Sequence, residues 1–284
     1  MLVSLHEGLG VPAPTLPLSI QSVARFMACL DWKGFSPSTI STYVSALSYF
    51  HKMLNLEDPT TSFALKKIRS AITKLRGEPD KRMPVSPGML RDIIMYLSSW
   101  SPRWESYLYK AMFSLAFHGC ARIGEVANSN GDMSHILLAE DVSFVRKGGR
   151  VVRLDVKYRS YKHKKVGGQQ MVHVLATGSS VCPVRMLQDY LQLGRRPTTA
   201  KYLFTDMEGH PVRSSAVGTA LQRCVRALGL DVKNFSFHSF RIGGATAAAN
   251  LGASDEQLRQ LGRWSSNAFR KYVRPAGFSF AQLQ

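Results

Sequence analysis

One stretch constrains the fold more than any other. Between residues 152 and 159, Val152, Leu154, Val156 and Tyr158 alternate with Arg153, Asp155, Lys157 and Arg159. A period of two puts the apolar set on one face of a pleated strand and the charged set on the other, so this is a half-exposed strand. Residues 142–146 before it and 171–175 after it have similar character, and Gly148-Gly149 and Gly167-Gly168 can take the left-handed backbone that tight hairpins need. The prediction is one small antiparallel sheet set in a chain that is otherwise helical: mainly α, α+β.

The rest of the chain repeats at helical spacing. After a Pro-rich leader at residues 1–17, Ile20, Val23, Phe26, Met27 and Leu30 recur on a 3.6-residue period. Ser36-Pro37 is a cap residue followed by proline at the first helical position, opening a helix with Ile40, Tyr43, Val44, Leu47, Phe50 and Leu54 on one face. A third helix over residues 61–75 is expected to bury Phe63, Ile68, Ile72 and Leu75. Lys66, Lys67, Arg69, Lys74 and Arg76 then point elsewhere, as a solvated face or as contacts to phosphate. Gly77-Glu78-Pro79-Asp80-Lys81-Arg82 is polar and hostile to helix. It divides the chain into a helical domain at residues 18–78, a linker at 79–84 and a larger domain at 85–284. Further helices are predicted near Ser86 and over residues 104–118, 183–193, 214–228, 237–251, 254–261 and 266–273.

Charge narrows the function. Lys and Arg number 37 against 19 Asp and Glu, a formal net charge of +18, which favours a polyanion such as nucleic acid or an anionic membrane surface. The excess is uneven: residues 1–80 carry 8 cations and 6 anions, and the remainder holds the other 29 and 13. No apolar run approaches the ~20 residues of a membrane span, and the first residues lack the pattern of a secretory signal, so an intracellular protein with no membrane partner is expected. Cys29, Cys120, Cys182 and Cys224 are widely separated. They are expected to be buried thiols in a reducing compartment, with neither disulfides nor a metal site.

Four local patterns carry the chemistry. Gly119-Cys120-Ala121-Arg122-Ile123-Gly124-Glu125 delivers one arginine at a break between helices. Tyr158-Arg159-Ser160-Tyr161-Lys162-His163-Lys164-Lys165 makes a cation-rich hairpin tip. His238 and Arg241, three residues apart, share a helix face, and Gly243-Gly244 lets that helix pack closely. Gly262-Arg263-Trp264 is followed by Tyr272, eight residues after the tryptophan.

Together these groups match what a scissile phosphodiester needs when no metal or other cofactor is used. Attack on phosphorus spreads charge over the non-bridging oxygens, and bidentate guanidinium groups are the best protein substitute for a divalent cation. Arg122 and Arg241 suit that role. The nucleophile loses a proton and the leaving oxygen gains one, so a base or orienting group and a cationic acid are required. His238 suits the first and Lys162 the second, with Lys164 and Lys165 as alternatives on the same tip. A tyrosine, with a free pKa of ~10, becomes a useful nucleophile once nearby cations stabilise its phenolate.

The ordered set Arg122, Lys162, His238-x-x-Arg241, Trp264 and Tyr272 resembles the tyrosine recombinase, or phage integrase, family. It is most similar to the eukaryotic branch found in DIRS-type retroelements and Crypton transposons. The resemblance covers residues 18–275 and implies an N-terminal four-helix-like core-binding (SAM-like) domain followed by a mostly helical catalytic domain with a small sheet. It further implies a clamp on double-stranded DNA, a 3′-phosphotyrosyl intermediate, a homo-oligomer of two to four protomers on DNA and a nuclear location. One departure stands out: the interval from Trp264 to Tyr272 is one residue shorter than in bacterial and phage relatives.

Each residue also has a plainer reading. Arg122 can cap carbonyls, Glu125 can support the arginine or mark a helix start, and His238 alone reads as a core histidine. Trp264 is either core packing or an indole N–H donor to a phosphate oxygen. Tyr43 and Tyr190 read as interior aromatics. Rival functions are a type IB-like topoisomerase, a domesticated DNA-binding protein without catalysis and, least favoured, a metal-dependent nuclease. The apolar tail, with Phe278, Phe280 and Leu283, docks on a neighbour or folds back.

Overall fold

Serine caps set where most of the early helices begin. Ser19, Ser36, Ser62 and Ser86 each accept a hydrogen bond from a backbone N–H of the first turn, opening α1 (Ile20–Trp32), α2 (Pro37–Met53), α3 (Phe63–Arg76) and α4 (Pro87–Ser98). Pro37 and Pro87 follow two of these caps, where the missing N–H costs nothing. The computed structural model describes residues 15–77, 80–129, 131, 133–159 and 170–274. Most of the leader, Lys162, Lys164, Lys165, the Gly167-Gly168 turn and the apolar tail lie outside the described residues. The chain divides into two compact units, Met1–Lys81 and Arg82–Gln284.

In the first unit, α1, α2 and α3 enclose a core of Leu18, Val23, Phe26, Met27, Leu30, Ile40, Val44 and Leu65. His51, 1% exposed, ties the chain entering α1 to α2: its Nε2 accepts the Leu18 N–H at 3.0 Å while Nδ1 faces the Leu47 carbonyl at 2.8 Å. Because a backbone N–H can only donate, Nε2 must be the bare nitrogen and Nδ1 the donor. The expected burial of Phe63 and Leu75 is corrected here, since they are 76% and 85% exposed. The stripe that faces the core is Leu65, Ile68 and Ile72. Phe63 lies about half a helical turn away from it, and Leu75 falls in the last turn, beyond the final core residue of α3. Phe50 and Leu54, also expected on an apolar face, are likewise exposed at the end of α2.

The second unit is built on α5 (Arg103–His118), whose residues from Ser106 to Phe117 are nearly all buried. A one-turn helix, α6 (Ile123–Val126), follows it. Next come β1 (Val142–Lys147), β2 (Arg150–Tyr158) and β3 (Gln170–Leu175), then α7 (Pro183–Leu193), α8 (Ser214–Ala227), α9 (His238–Asn250) and α10 (Asp255–Gly262). The sheet is antiparallel with β2 in the centre, and Leu154, Val156 and Tyr158 point into the core as their alternation requires. Gly148 and Gly149 turn the first hairpin with φ of 56° and 77°. The predicted final helix is a 3-10 turn, Asn267–Lys271.

Glycines let α9 press against its neighbours. A Cβ on Gly243 would lie 1.9 Å from the Val85 carbonyl oxygen, and one on Gly244 would lie 2.0 Å from that of Phe117. The helix is thereby held against the end of α5, with Phe240 stacked on Phe113 at a centroid distance of 4.8 Å. Three of the four free cysteines are buried and Cys29 is half-buried, a correction to the expectation that all would be enclosed. Among the described residues no helix is long and apolar enough to cross a membrane.

Candidate active site

The break after α5 places two of the anticipated residues. Cys120 adopts a left-handed φ of 46°, and two residues later Arg122 caps α6. Glu125 folds back on it: the carboxylate accepts the Arg122 backbone N–H at 2.7 Å and the Arg122 Nη1 at 2.9 Å. A glutamate three residues after a helix cap is suited to this, because it can satisfy the orphan N–H at the start of the helix. Glu125 is 2% exposed, yet its second oxygen is held by Arg263 Nη2 at 2.6 Å. Burial by itself raises a carboxyl pKa. Here Arg263 and Arg122 more than offset it and hold Glu125 below the usual carboxylate range.

Arg263 comes from the end of α10, in a left-handed conformation with φ of 55°. Its Nη1 donates to the carbonyls of Gly119 and Leu261, and its Nη2 donates to Cys120 as well as to Glu125. The guanidinium lies 3.7 Å from the centroid of the Tyr158 ring. Gly262 is needed next to it for space, since a Cβ there would fall 1.8 Å from the Trp264 ring.

On α9, His238 and Arg241 lie one turn apart. Arg241 is 0% exposed and donates through its two Nη groups to the carbonyls of Cys120 and Gly262. Its guanidinium sits 4.2 Å from the Trp264 ring centroid and 5.3 Å from that of Tyr272. Burial, then the like charge of Arg122, pushes Arg241 down to about 10, so it remains cationic near neutral pH.

Tyr272, half-buried, directly follows the 3-10 turn. Its ring centroid is 4.9 Å from that of His238 and 5.0 Å from that of Trp264. Thr246 of α9 clips the segment down, donating to the Tyr272 carbonyl at 3.3 Å and accepting the Arg274 N–H at 3.0 Å. Trp264 is 7% exposed, and its indole Nε1 is buried with no hydrogen-bond partner among the described residues. An unpaired buried donor costs about 1–3 kcal/mol, so it calls for an acceptor.

The fold therefore gathers Arg122, Glu125, His238, Arg241, Trp264 and Tyr272. Lys162, Lys164 and Lys165 lie outside the described residues, and Lys66, Lys67, Arg69 and Lys74 are all exposed on α3 of the other unit. Lys67 Nζ lies 5.1 Å from the Phe63 ring centroid, one cation using an exposed aromatic face. Arg263, Tyr158 and Thr246 belong to this centre and are missed by sequence reasoning. The one signal for Arg263 is its place in the Gly262-Arg263-Trp264 motif, which the sequence reading singles out without giving this arginine a role. Among the described residues no group of three His, Cys, Asp or Glu side chains is arranged to hold a metal ion. What the centre offers is a phenol beside one buried guanidinium, an imidazole and an indole, with two further arginines joined through Glu125.

Solved structures share this architecture. The Tn1549 transposon integrase in complex with circular intermediate DNA aligns over 99% of this chain and 89% of that one, at 17% identity and a TM-score of 0.60. The XerH site-specific recombinase bound to a palindromic difH substrate aligns over 90% and 69%, at 16% identity and a TM-score of 0.65. A lambda integrase dimer bound to a COC′ core site aligns over 98% and 72%, at 17% identity and a TM-score of 0.58. No curated protein matches the sequence. These structures define the fold as that of a tyrosine recombinase. The phage integrase family model matches residues 90–276, and the chain belongs to that family, whose members are tyrosine recombinases.

Proposed function

We propose that the protein is a site-specific recombinase of double-stranded DNA that cuts and rejoins strands through a 3′-phosphotyrosyl intermediate, without a metal, and serves integration of a mobile element. The observation that carries this reading is the convergence on Tyr272 of the His238 ring at 4.9 Å, the Trp264 ring at 5.0 Å and the Arg241 guanidinium at 5.3 Å. An imidazole, an indole and a buried guanidinium thus surround a single phenol, the set of groups a tyrosine nucleophile works with.

In the proposed reaction the Tyr272 Oη attacks the scissile phosphorus and the bond to the 5′-oxygen breaks. His238 takes or orients the phenol proton, and Lys162 gives one to the departing 5′-oxygen, which leaves as a hydroxyl. Arg122, half-buried at the start of α6, clamps a non-bridging oxygen, and the unpartnered Trp264 N–H donates to another. Attack by a 5′-hydroxyl on the phosphotyrosyl ester reverses the step and frees Tyr272. The match to a transposon integrase supports the mobile-element role, and the match to an integrase dimer supports assembly as a dimer or tetramer on DNA. The eukaryotic resemblance adds the nucleus as the place of action.

The test is a nicked DNA substrate incubated with protein in EDTA. Wild type becomes covalently attached and Tyr272→Phe does not; a wild type that stays free on its own target, or a Phe variant that attaches, overturns the reading. Arg122→Lys should bind DNA normally and cleave roughly 10²- to 10³-fold more slowly, because a point charge cannot replace the guanidinium fork.

A further inference from the structure

We propose that Arg263 is a positioning residue for this reaction, acting through Glu125 on Arg122. The inference rests on the reading of Arg122 as the phosphate clamp.

Three features of the geometry support it. First, the Arg263 side chain is 0% exposed and is built in: four carbonyl or carboxylate acceptors take its Nη groups and the Tyr158 ring covers it at 3.7 Å. Burying a guanidinium is costly, and a packing role alone would be met by an apolar side chain at lower cost. Second, the Glu125 carboxylate is shared. Arg263 and the Arg122 backbone N–H occupy Oε2, which leaves Oε1 as the contact for the Arg122 side chain, through Nη1. Among the described residues no acceptor takes Arg122 Nε or Nη2, so that edge remains available for a phosphate. Without Arg263, Glu125 and Arg122 would be a closed neutral pair; with it the three groups carry a net positive charge and Arg122 is held at one end only. Third, the clamp is doubled. Arg241 and Arg263 both donate to the Cys120 carbonyl, and Arg241 also holds Gly262, the residue before Arg263. The segment carrying Arg122 is thereby tied to the end of α10, just upstream of the 3-10 turn that leads into Tyr272.

The groups facing Glu125 are Arg122, Arg241, Arg263, Cys120 and Tyr158. Burial pushes the Cys120 thiol up to about 11 and the Tyr158 phenol up to about 12, so both are neutral near pH 7 and the arginines set the field.

The test uses the full chain with 15N-labelled arginine, in wild type, R122A, R263K, R263M and R122A/R263M. Covalent attachment to the nicked substrate should slow about 100-fold in R263M, the scale of a misplaced reacting group, with DNA binding unchanged. R263K keeps the charge but not the fork and should fall between wild type and R263M. Added to R122A, R263M should cause no further loss, because its effect passes through the residue already removed. The Arg122 Nε–H resonance, assigned by its absence in R122A, should shift in R263M. Losses that multiply in the double variant, or an Arg122 resonance that does not move, overturn the inference and leave Arg263 a structural residue. If R263M fails to fold, R263K and R122A/R263K carry the same two comparisons. A wild type that does not attach to DNA overturns the proposed function, while the Arg122 resonance still decides the positioning role.

Discussion

The cations of α3 and the arginines around Glu125 carry the same charge under opposite physical rules. Lys66, Lys67 and Lys74 are exposed along one helix, where water solvates them and salt screens them beyond about 8 Å. Arg241 and Arg263 are 0% and 2% exposed, and the carbonyls of Gly119, Cys120, Leu261 and Gly262 replace their water. The exposed set can exchange members at little cost. In the buried set each donor depends on a particular acceptor, so each partner is a point of failure. Experiments that remove one partner at a time measure that difference.

The largest effect should come from Glu125→Ala. It leaves the Arg263 guanidinium enclosed without its carboxylate and Arg122 without its tether. Breaking a buried pair in this way costs about 3–5 kcal/mol, read as a fall in the urea midpoint with the slope unchanged. A loss comparable to that of an exposed substitution would end the distinction drawn between the two regions.

Next in size is Gly244→Ala. The added methyl would meet the Phe117 carbonyl oxygen at 2.0 Å, which is backbone and cannot rotate aside. Overpacking of this kind costs about 1–3 kcal/mol. Because α9 also carries His238 and Arg241, DNA cleavage should fall beyond what the lost stability explains. The same change at Gly218, where a Cβ meets nothing within 4 Å, should be neutral or mildly stabilising and serves as the control.

Glu125→Gln sharpens the comparison through pH. Glu125 is held below its ordinary value of 4.5, by Arg263 and Arg122 acting against burial. The ion pair therefore contributes stability that is fully present above pH 4.5 and is lost as pH falls through the lowered folded value. The difference in urea midpoint between wild type and Glu125→Gln should be flat from neutral pH down to about 5 and shrink in more acid solution. A difference that stays constant into acid would mean that shape at residue 125, and not charge, carries the effect.

What the sequence reveals about these regions follows from how local the signals are. The strand pattern at Leu154, Val156 and Tyr158 has its information in neighbouring residues, and the sheet has that alternation. Ser36-Pro37 likewise marks the start of α2 within two residues. Phe63 reads as buried only when apolar character is counted without the phase of the helix, which Leu65 sets, while Leu75 keeps that phase and is exposed because the core ends before it. The buried arginine centre is the least legible part. The Glu125 to Arg263 contact joins residues 138 positions apart, and it depends on a left-handed backbone at Arg263, a conformation usually given to glycine or asparagine. The glycine beside it, Gly262, is spent on the close approach of Trp264 instead. Nothing in the local sequence of either element signals that pairing.

The smallest effect on stability, and the sharpest contrast with Glu125→Ala, should come from replacing Lys66, Lys67, Arg69 and Lys74 together by glutamine. None of them supports the core of the first unit, where α3 contributes Leu65, Ile68 and Ile72, so thermal unfolding should be unchanged within error. Their effect should appear in salt dependence. For duplex DNA, the slope of log affinity against log salt becomes shallower by about 0.9 for each phosphate that is no longer neutralised. If all the replaced cations face phosphate, affinity at low salt falls steeply and the two proteins converge as salt rises. An unchanged slope would identify this helix face as merely solvated, and DNA contact in the first unit would have to be sought away from these residues.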